Sequence, residues 1–191
     1  MSDSSERMPA IPRDQMDDAQ RAAADELVAG PRKGVKGPFI PLLRSPQLMA
    51  RLQKVGEYLR FGSSIPARLN EFATLVVARD WTQQFEWCVH VPLALKEGVS
   101  PATIDALREG RRPASMAADE ALVYDFIGEL ASRRGTCDAT YQAAVERFGE
   151  QGVIDLVSLV GYFTLISMAL NVARIPEEAN PAVQPLPPLP R

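Results

Sequence analysis

The sequence predicts an all-α domain, and three observations carry that prediction. Apolar residues recur at spacings of three and four from end to end, no alternating run is bounded by Asn-Gly or Asp-Gly, and Ser-Pro pairs and glycines stand where helices should start and stop. With 191 residues, 46% hydrophobic and 24% charged, the composition is that of one soluble globular domain with a real core.

The first helix is "DQMDDAQRAAADELVAG", acidic at its start and closed at Gly30, the order that the helix dipole and a glycine cap favour. "PRKGVKGPFIPLL" breaks the pattern. Ser45-Pro46 then opens a helix that runs to about Arg60, with serine as N-cap and proline at the first helical position. "FGSSIP" closes it and opens "PARLNEFATLVVARDW", which is apolar on almost every face from Phe72 to Ala78 and so reads as a central buried helix. "QQFEWCVHVPLALKEG" follows, and Pro92 should kink or restart it because proline lacks the N–H that would bond the carbonyl of Cys88. Ser100-Pro101 starts "PATIDALREG". "ADEALVYDFIGELASRRG" and "DATYQAAVERFGEQG" are two amphipathic helices separated near Gly135.

The last helix, "VIDLVSLVGYFTLISMALNV", is the most hydrophobic and about as long as a bilayer span, which needs roughly 20 apolar residues. Asp155, Ser158, Thr164, Ser167 and Asn171 interrupt it, which favours a buried or subunit-interface helix over a membrane span. The tail "PEEANPAVQPLPPLPR" should be extended polyproline II, either an arm on a neighbouring subunit or disordered, with an SH3-type ligand as the weaker reading. The chain thus divides into an N-terminal helix and linker (1–44), a helical domain (45–173) and a proline-rich tail (174–191).

A net charge of -3 leaves no basic excess to neutralise phosphates, so neither nucleic acid nor an acidic membrane surface is an expected partner. The N-terminus has no apolar segment behind a basic start, which predicts a cytoplasmic protein. One histidine and two cysteines without Cys-x-x-Cys supply neither a metal site nor a disulfide framework, so no metal or other cofactor is expected.

The chemistry concentrates around that histidine. On a helix Gln83, Glu86, His90 and Ala94 form one stripe, between packing faces made by Phe85, Cys88, Val89, Leu93 and Leu95. A carboxylate near a buried imidazole sets two opposed effects on its proton affinity, and their balance suits general acid–base work. Glu71 is a lone carboxylate near the start of the preceding apolar helix.

These residues carry a resemblance. "FEWCVHVPLALKEGVS" is similar to the Glu-Trp-x-x-His form of the carboxymuconolactone decarboxylase family, and "IPARLNEFATLVVARDW" and "ADEALVYDF" resemble its longer members, over roughly Glu57 to Val172. The family's alkylhydroperoxidase D-like branch has the pattern Glu-x11-Cys-x2-Cys-x3-His. Glu71 and His90 have that separation, but Gln83 and Glu86 occupy the cysteine positions. The resemblance implies an alkylhydroperoxidase D-like helical fold assembled as a trimer or hexamer, with Glu71, Glu86 and His90 forming one catalytic pocket near subunit contacts.

The function it implies is a cofactor-independent lyase or isomerase acting on a small carboxylated lactone or unsaturated acid. His90, kept protonated by Glu86, would deliver a proton or stabilise an enolate; Glu71 would orient His90 or relay the proton. Gln83 would bond a substrate oxygen, and Arg68 would hold a substrate carboxylate or else form a surface ion pair. Two other readings stay open: an alkylhydroperoxidase D-like redox protein, weakened by the missing thiol pair, and a non-enzymatic oligomeric module that binds a small molecule. Cys88 lies two residues beyond the second cysteine position, about 200° around the helix.

Overall fold

The Asp17 side chain accepts a hydrogen bond from the backbone N–H of Gln20, whose side-chain Oε1 accepts in turn from the backbone N–H of Asp17, and this capping box starts α1 (Asp18–Ala29). The computed structural model describes residues 6–176 and 180–188, and every regular element among them is helical. The glycine-rich linker after α1 ends in a single turn, α2 (Phe39–Leu42), and α3 (Pro46–Phe61) begins with proline in its first turn. α1 packs on α3.

α4 (Ala67–Asp80) is the central helix. Leu69, Phe72, Ala73, Thr74 and Leu75 are fully enclosed, and α4 packs against α3, α5 (Gln84–Lys96), α6 (Pro101–Arg108), α7 (Ala118–Arg133) and α8 (Asp138–Ala173). The Ser100 hydroxyl caps α6 by accepting from the N–H of Thr103. Of the two courses expected at Pro92, α5 does not restart: it stays helical through Pro92 to Lys96. Trp87, Val91 and Ala94 are all in the core, and their packing holds the helical course at the cost of one backbone hydrogen bond.

The last two expected helices form one long element, α8, broken at Gly149, where φ is 72° and ψ 170°. That conformation is essentially restricted to glycine, which places the break three residues before Gly152. By length and composition α8 could cross a membrane, yet half of its most apolar window is buried against the rest of the chain. Asp155 ties it down: the carboxylate accepts from Tyr58 Oη (3.1 Å), Ser64 N (2.8 Å) and Ser64 Oγ (2.9 Å). Burial of Asp155 is tolerated because its lone pairs are satisfied. The opposite face of α8 exposes Ile154, Val157, Met168 and Val172. Residues 180–188 do not extend away from the domain but fold back across α4, α5 and α6 of the same chain; positions 177–179 and 189–191 of the expected tail lie outside the described residues.

Candidate functional site

Glu71 on α4 and Glu86 and His90 on α5 meet because these two helices pack side by side, and because positions 86 and 90 are one turn apart on α5. His90 Nδ1–H donates to Glu71 Oε2 at 2.5 Å, and Nε2 stands 3.3 Å from Glu86 Oε2. The imidazole is 3% exposed, and the edge of the Phe163 ring closes on it with centroids 5.2 Å apart. Burial alone would lower its proton affinity; hydrogen bonds to Glu71 and Glu86 outweigh burial and raise the pKa of His90 above its ordinary 6.5. Both ring nitrogens face carboxylates, so neither is free to ligate a metal, and among the described residues no group of three His, Cys, Asp or Glu side chains is arranged to hold one.

This gives a direct test, because His90 is the only histidine and its imidazole signals need no assignment. An NMR titration should place the His90 midpoint above 6.5, and Glu71→Gln should lower it. A midpoint at or below the free value would contradict the two-carboxylate arrangement.

His90 and Glu86 form part of the wall of a cavity of about 330 Å³, which Glu71 does not reach; it supports the imidazole from behind. Phe85 and Phe163 make apolar wall, while Arg32, Lys36 and Arg60 bring three cations and Glu86 is the one acid. Nε and Nη2 of Arg32 and Nε of Arg60 are buried and make no hydrogen bond. Arg32 lies over the Phe39 ring at 4.6 Å, and burial pushes its guanidinium below the ordinary value. Its tip meets the Tyr162 hydroxyl over Gly56, where a Cβ would stand 2.2 Å from Tyr162 Oη and 2.7 Å from Arg32 Nη2. Burial in turn raises the pKa of Tyr162, keeping it a neutral hydroxyl.

The family comparison agrees with this geometry: residues 46–124, which include Glu71, Glu86 and His90, match the carboxymuconolactone decarboxylase family. The fold extends the likeness beyond the matched segment. A crystal structure of an alkylhydroperoxidase AhpD core, an uncharacterised peroxidase-related protein from Ralstonia eutropha JMP134, superposes with a TM-score of 0.74 at 14% identity, covering 91% of this chain and 92% of that one. An uncharacterised peroxidase-related protein from Silicibacter sp. TM1040 superposes with a TM-score of 0.71 at 13% identity, covering 94% and 96%. At such identities the likeness speaks to the alkylhydroperoxidase D-like fold. The sequence has no significant match among curated proteins.

Two of the five expected site residues lie elsewhere. Arg68 is outside the cavity wall and forms the ion-pair alternative: its guanidinium pairs with Glu120 (2.5 Å) and Asp119 (2.8 Å), fastening the start of α4 to the start of α7. Gln83 precedes α5 as its cap, with Oε1 accepting from Phe85 N and Nε2 donating to Asn171 Oδ1 at 2.8 Å, so both ends of its amide are engaged outside the cavity wall. The cationic wall was not anticipated. Arg32 and Lys36 sit in the linker "PRKGVKGP", whose sequence signal was only a broken helical pattern, and Tyr162 sits inside the most apolar helix, where a buried phenol was the available hint.

Proposed function

We propose that the cavity binds a small organic carboxylate, a carboxylated lactone or related unsaturated acid, and that the His90–Glu86 pair moves a proton on it as a cofactor-independent lyase or isomerase. The observation that supports this reading is one histidine held between two carboxylates on the wall of a cavity whose other polar groups are three cations and the Tyr162 hydroxyl. In a decarboxylation the bond from carbon to the departing CO2 breaks, and its electron pair delocalises onto the lactone carbonyl as an enolate. Arg32 and Arg60 would stabilise that oxygen or anchor a second carboxylate. A proton would pass from the His90–Glu86 pair to carbon and be replaced from solvent, while Glu71 keeps the ring in place.

The neighbours described as peroxidase-related raise the thiol alternative, but Cys88 is buried on α5, Cys137 is exposed just before α8, and neither belongs to the cavity wall. Dithiol peroxide reduction needs two sulfurs within bonding reach of each other. The test is a panel of carboxylated γ-lactones and unsaturated acids in D2O, followed by CO2 release and by deuterium entering the product. Parallel hydroperoxide assays use the parent and the Cys88→Ser/Cys137→Ser variant. Turnover on the panel that survives the double variant and disappears in Glu86→Gln supports the proposal. Ligand binding without turnover across the panel would instead favour the binding module, and hydroperoxide turnover lost in the double variant would favour the redox protein.

We further propose that the exposed apolar face of α8 is covered in a homo-oligomer, a trimer or hexamer. Four large apolar side chains on one helix face, Ile154, Val157, Met168 and Val172, are the motive. Sedimentation should show an assembly that Ile154→Glu/Met168→Glu shifts toward monomer. A stable parent monomer at micromolar concentration would rule the assembly out.

A further inference from the structure

The groove that receives the C-terminal segment is matched to a proline-rich strand in detail. Four successive carbonyls of the segment each meet a side-chain donor. Trp87 Nε1 donates to Gln184 O at 3.0 Å, Arg108 Nη1 to Pro185 O at 3.5 Å, Gln84 Nε2 to Leu186 O at 2.7 Å, and Arg79 Nη1 to Pro187 O at 2.6 Å. Between Pro185 and Pro188 only Leu186 has a backbone N–H, and it donates to Gln84 Oε1 at 2.9 Å. The groove thus offers many donors and one acceptor, which is what a strand rich in proline can use, since proline supplies a carbonyl but no N–H.

The side chains agree. Val183 and Leu186 are buried while Gln184 and Pro185 between them are exposed, a spacing of three that matches one turn of polyproline II. Arg79 is 5% exposed with its Nε making no hydrogen bond, and burial together with the neighbouring Arg108 charge lowers its pKa. Emptying the groove would take from this buried guanidinium its bond to Pro187 O. A cavity of about 170 Å³, walled by Trp87, Ile104, Arg108 and Val183 among others, continues the groove beside the strand.

We propose that this face of α4, α5 and α6 is a recognition groove for a proline-rich strand, and that residues 183–187 are its tethered occupant, replaceable by the same segment of a second copy of the chain once the chain's own segment is withdrawn. The occupant behaves as a ligand rather than as part of the core, because it is held by side-chain bonds to its backbone and by two apolar anchors three residues apart. Tethering keeps it at an effective concentration on the order of millimolar, so an unmodified chain excludes the same peptide in trans. The groove is separate from the cavity that His90 and Glu86 line and shares no wall residue with it.

The test uses the full chain and a fluorescent peptide with the sequence of residues 180–191, NPAVQPLPPLPR. Leu186→Asp in the protein should withdraw its own tail and tighten peptide binding at least tenfold over the unmodified chain. Adding Gln84→Ala should cancel that gain, and a peptide carrying the same Leu-to-Asp change should not bind. Equal binding by the unmodified and Leu186→Asp chains, or a gain that Gln84→Ala leaves intact, would overturn the proposal. Amide hydrogen exchange supplies a second reading without the Leu186 variant: the Leu186 N–H should be protected in the unmodified chain and exchange at least tenfold faster in Gln84→Ala. Exchange of Leu186 at the unprotected rate in the unmodified chain would also overturn it.

Discussion

Replacing His90 with glutamine is expected to lower turnover on a carboxylated lactone by roughly 10²–10⁴-fold, the range for loss of a positioned proton-transfer group. Glutamine can still bond one carboxylate, but it carries no exchangeable charge, so Glu71 and Glu86 are left facing each other without a cation between them. The same variant should lose stability, by about 3–5 kcal/mol if it behaves like other buried pairs broken on one side. The pH dependence has a definite sign. The folded pKa of His90 is raised, so its stabilisation is fully present below the unfolded value of 6.5 and is lost as pH rises through the folded value. Melting curves of parent and variant should therefore differ most at or below about pH 6.5 and converge on the alkaline side. A difference that grew with pH would show that His90 is buried neutral. Arg60→Gln should act differently, raising KM more than it lowers kcat, because Arg60 lines the cavity while His90 is held by Glu71 and Glu86.

Gly37→Ala is expected to be the most damaging small substitution outside the charged cluster. Gly37 has φ of +54°, and a Cβ there would stand 2.3 Å from two atoms of the Phe85 ring. The left-handed backbone costs a residue with Cβ about 1–2 kcal/mol, and overpacking adds about 1–3 kcal/mol. For a chain of this length the sum corresponds to a fall in Tm of roughly 4–20 °C. Phe85 also lines the cavity, so the substitution should weaken ligand binding under conditions where the protein is still folded. Gly128→Ala is the control: it lies inside α7, its Cβ would meet nothing within 4 Å, and its effect should be neutral or stabilising by about 0.4–1 kcal/mol. If the two variants melted alike, the close approach of the linker to Phe85 would be wrong.

Much of this protein was legible before its fold was known, for local reasons. Helical periodicity, Ser-Pro starts and glycine stops depend on residues within a turn of one another, and they placed α3, α4, α6 and α7 close to where they lie. The Glu86–His90 pair is also local, since residues four apart on a helix must share a face. Pro92 shows the limit of that reasoning. Its local penalty allowed a restart, and with Trp87, Val91 and Ala94 packed in the core the helix continues instead.

Contacts between elements could not be read in this way. That Glu71 approaches the other side of the same imidazole depends on the packing of α4 against α5; the family resemblance suggested it and helical spacing could not. Arg68 and Gln83 had suitable chemistry at plausible positions, but α7 presented two carboxylates to one and α8 an asparagine to the other. Arg32 and Lys36 reach the cavity from a linker with no periodicity, because Gly37 adopts a left-handed turn and Gly56 lets Arg32 and Tyr162 meet. The tail follows the same division: its proline content predicted an extended strand, while its seat on α5 depended on donors from three helices. Sequence spacing therefore specified the helices and the Glu86–His90 pair on one of them. Tertiary packing decided which charges face the cavity: α7 and α8 supplied partners that hold Arg68 and Gln83 away from it, whereas Arg32 and Arg60 line it with buried nitrogens that the rest of the chain leaves without a hydrogen bond.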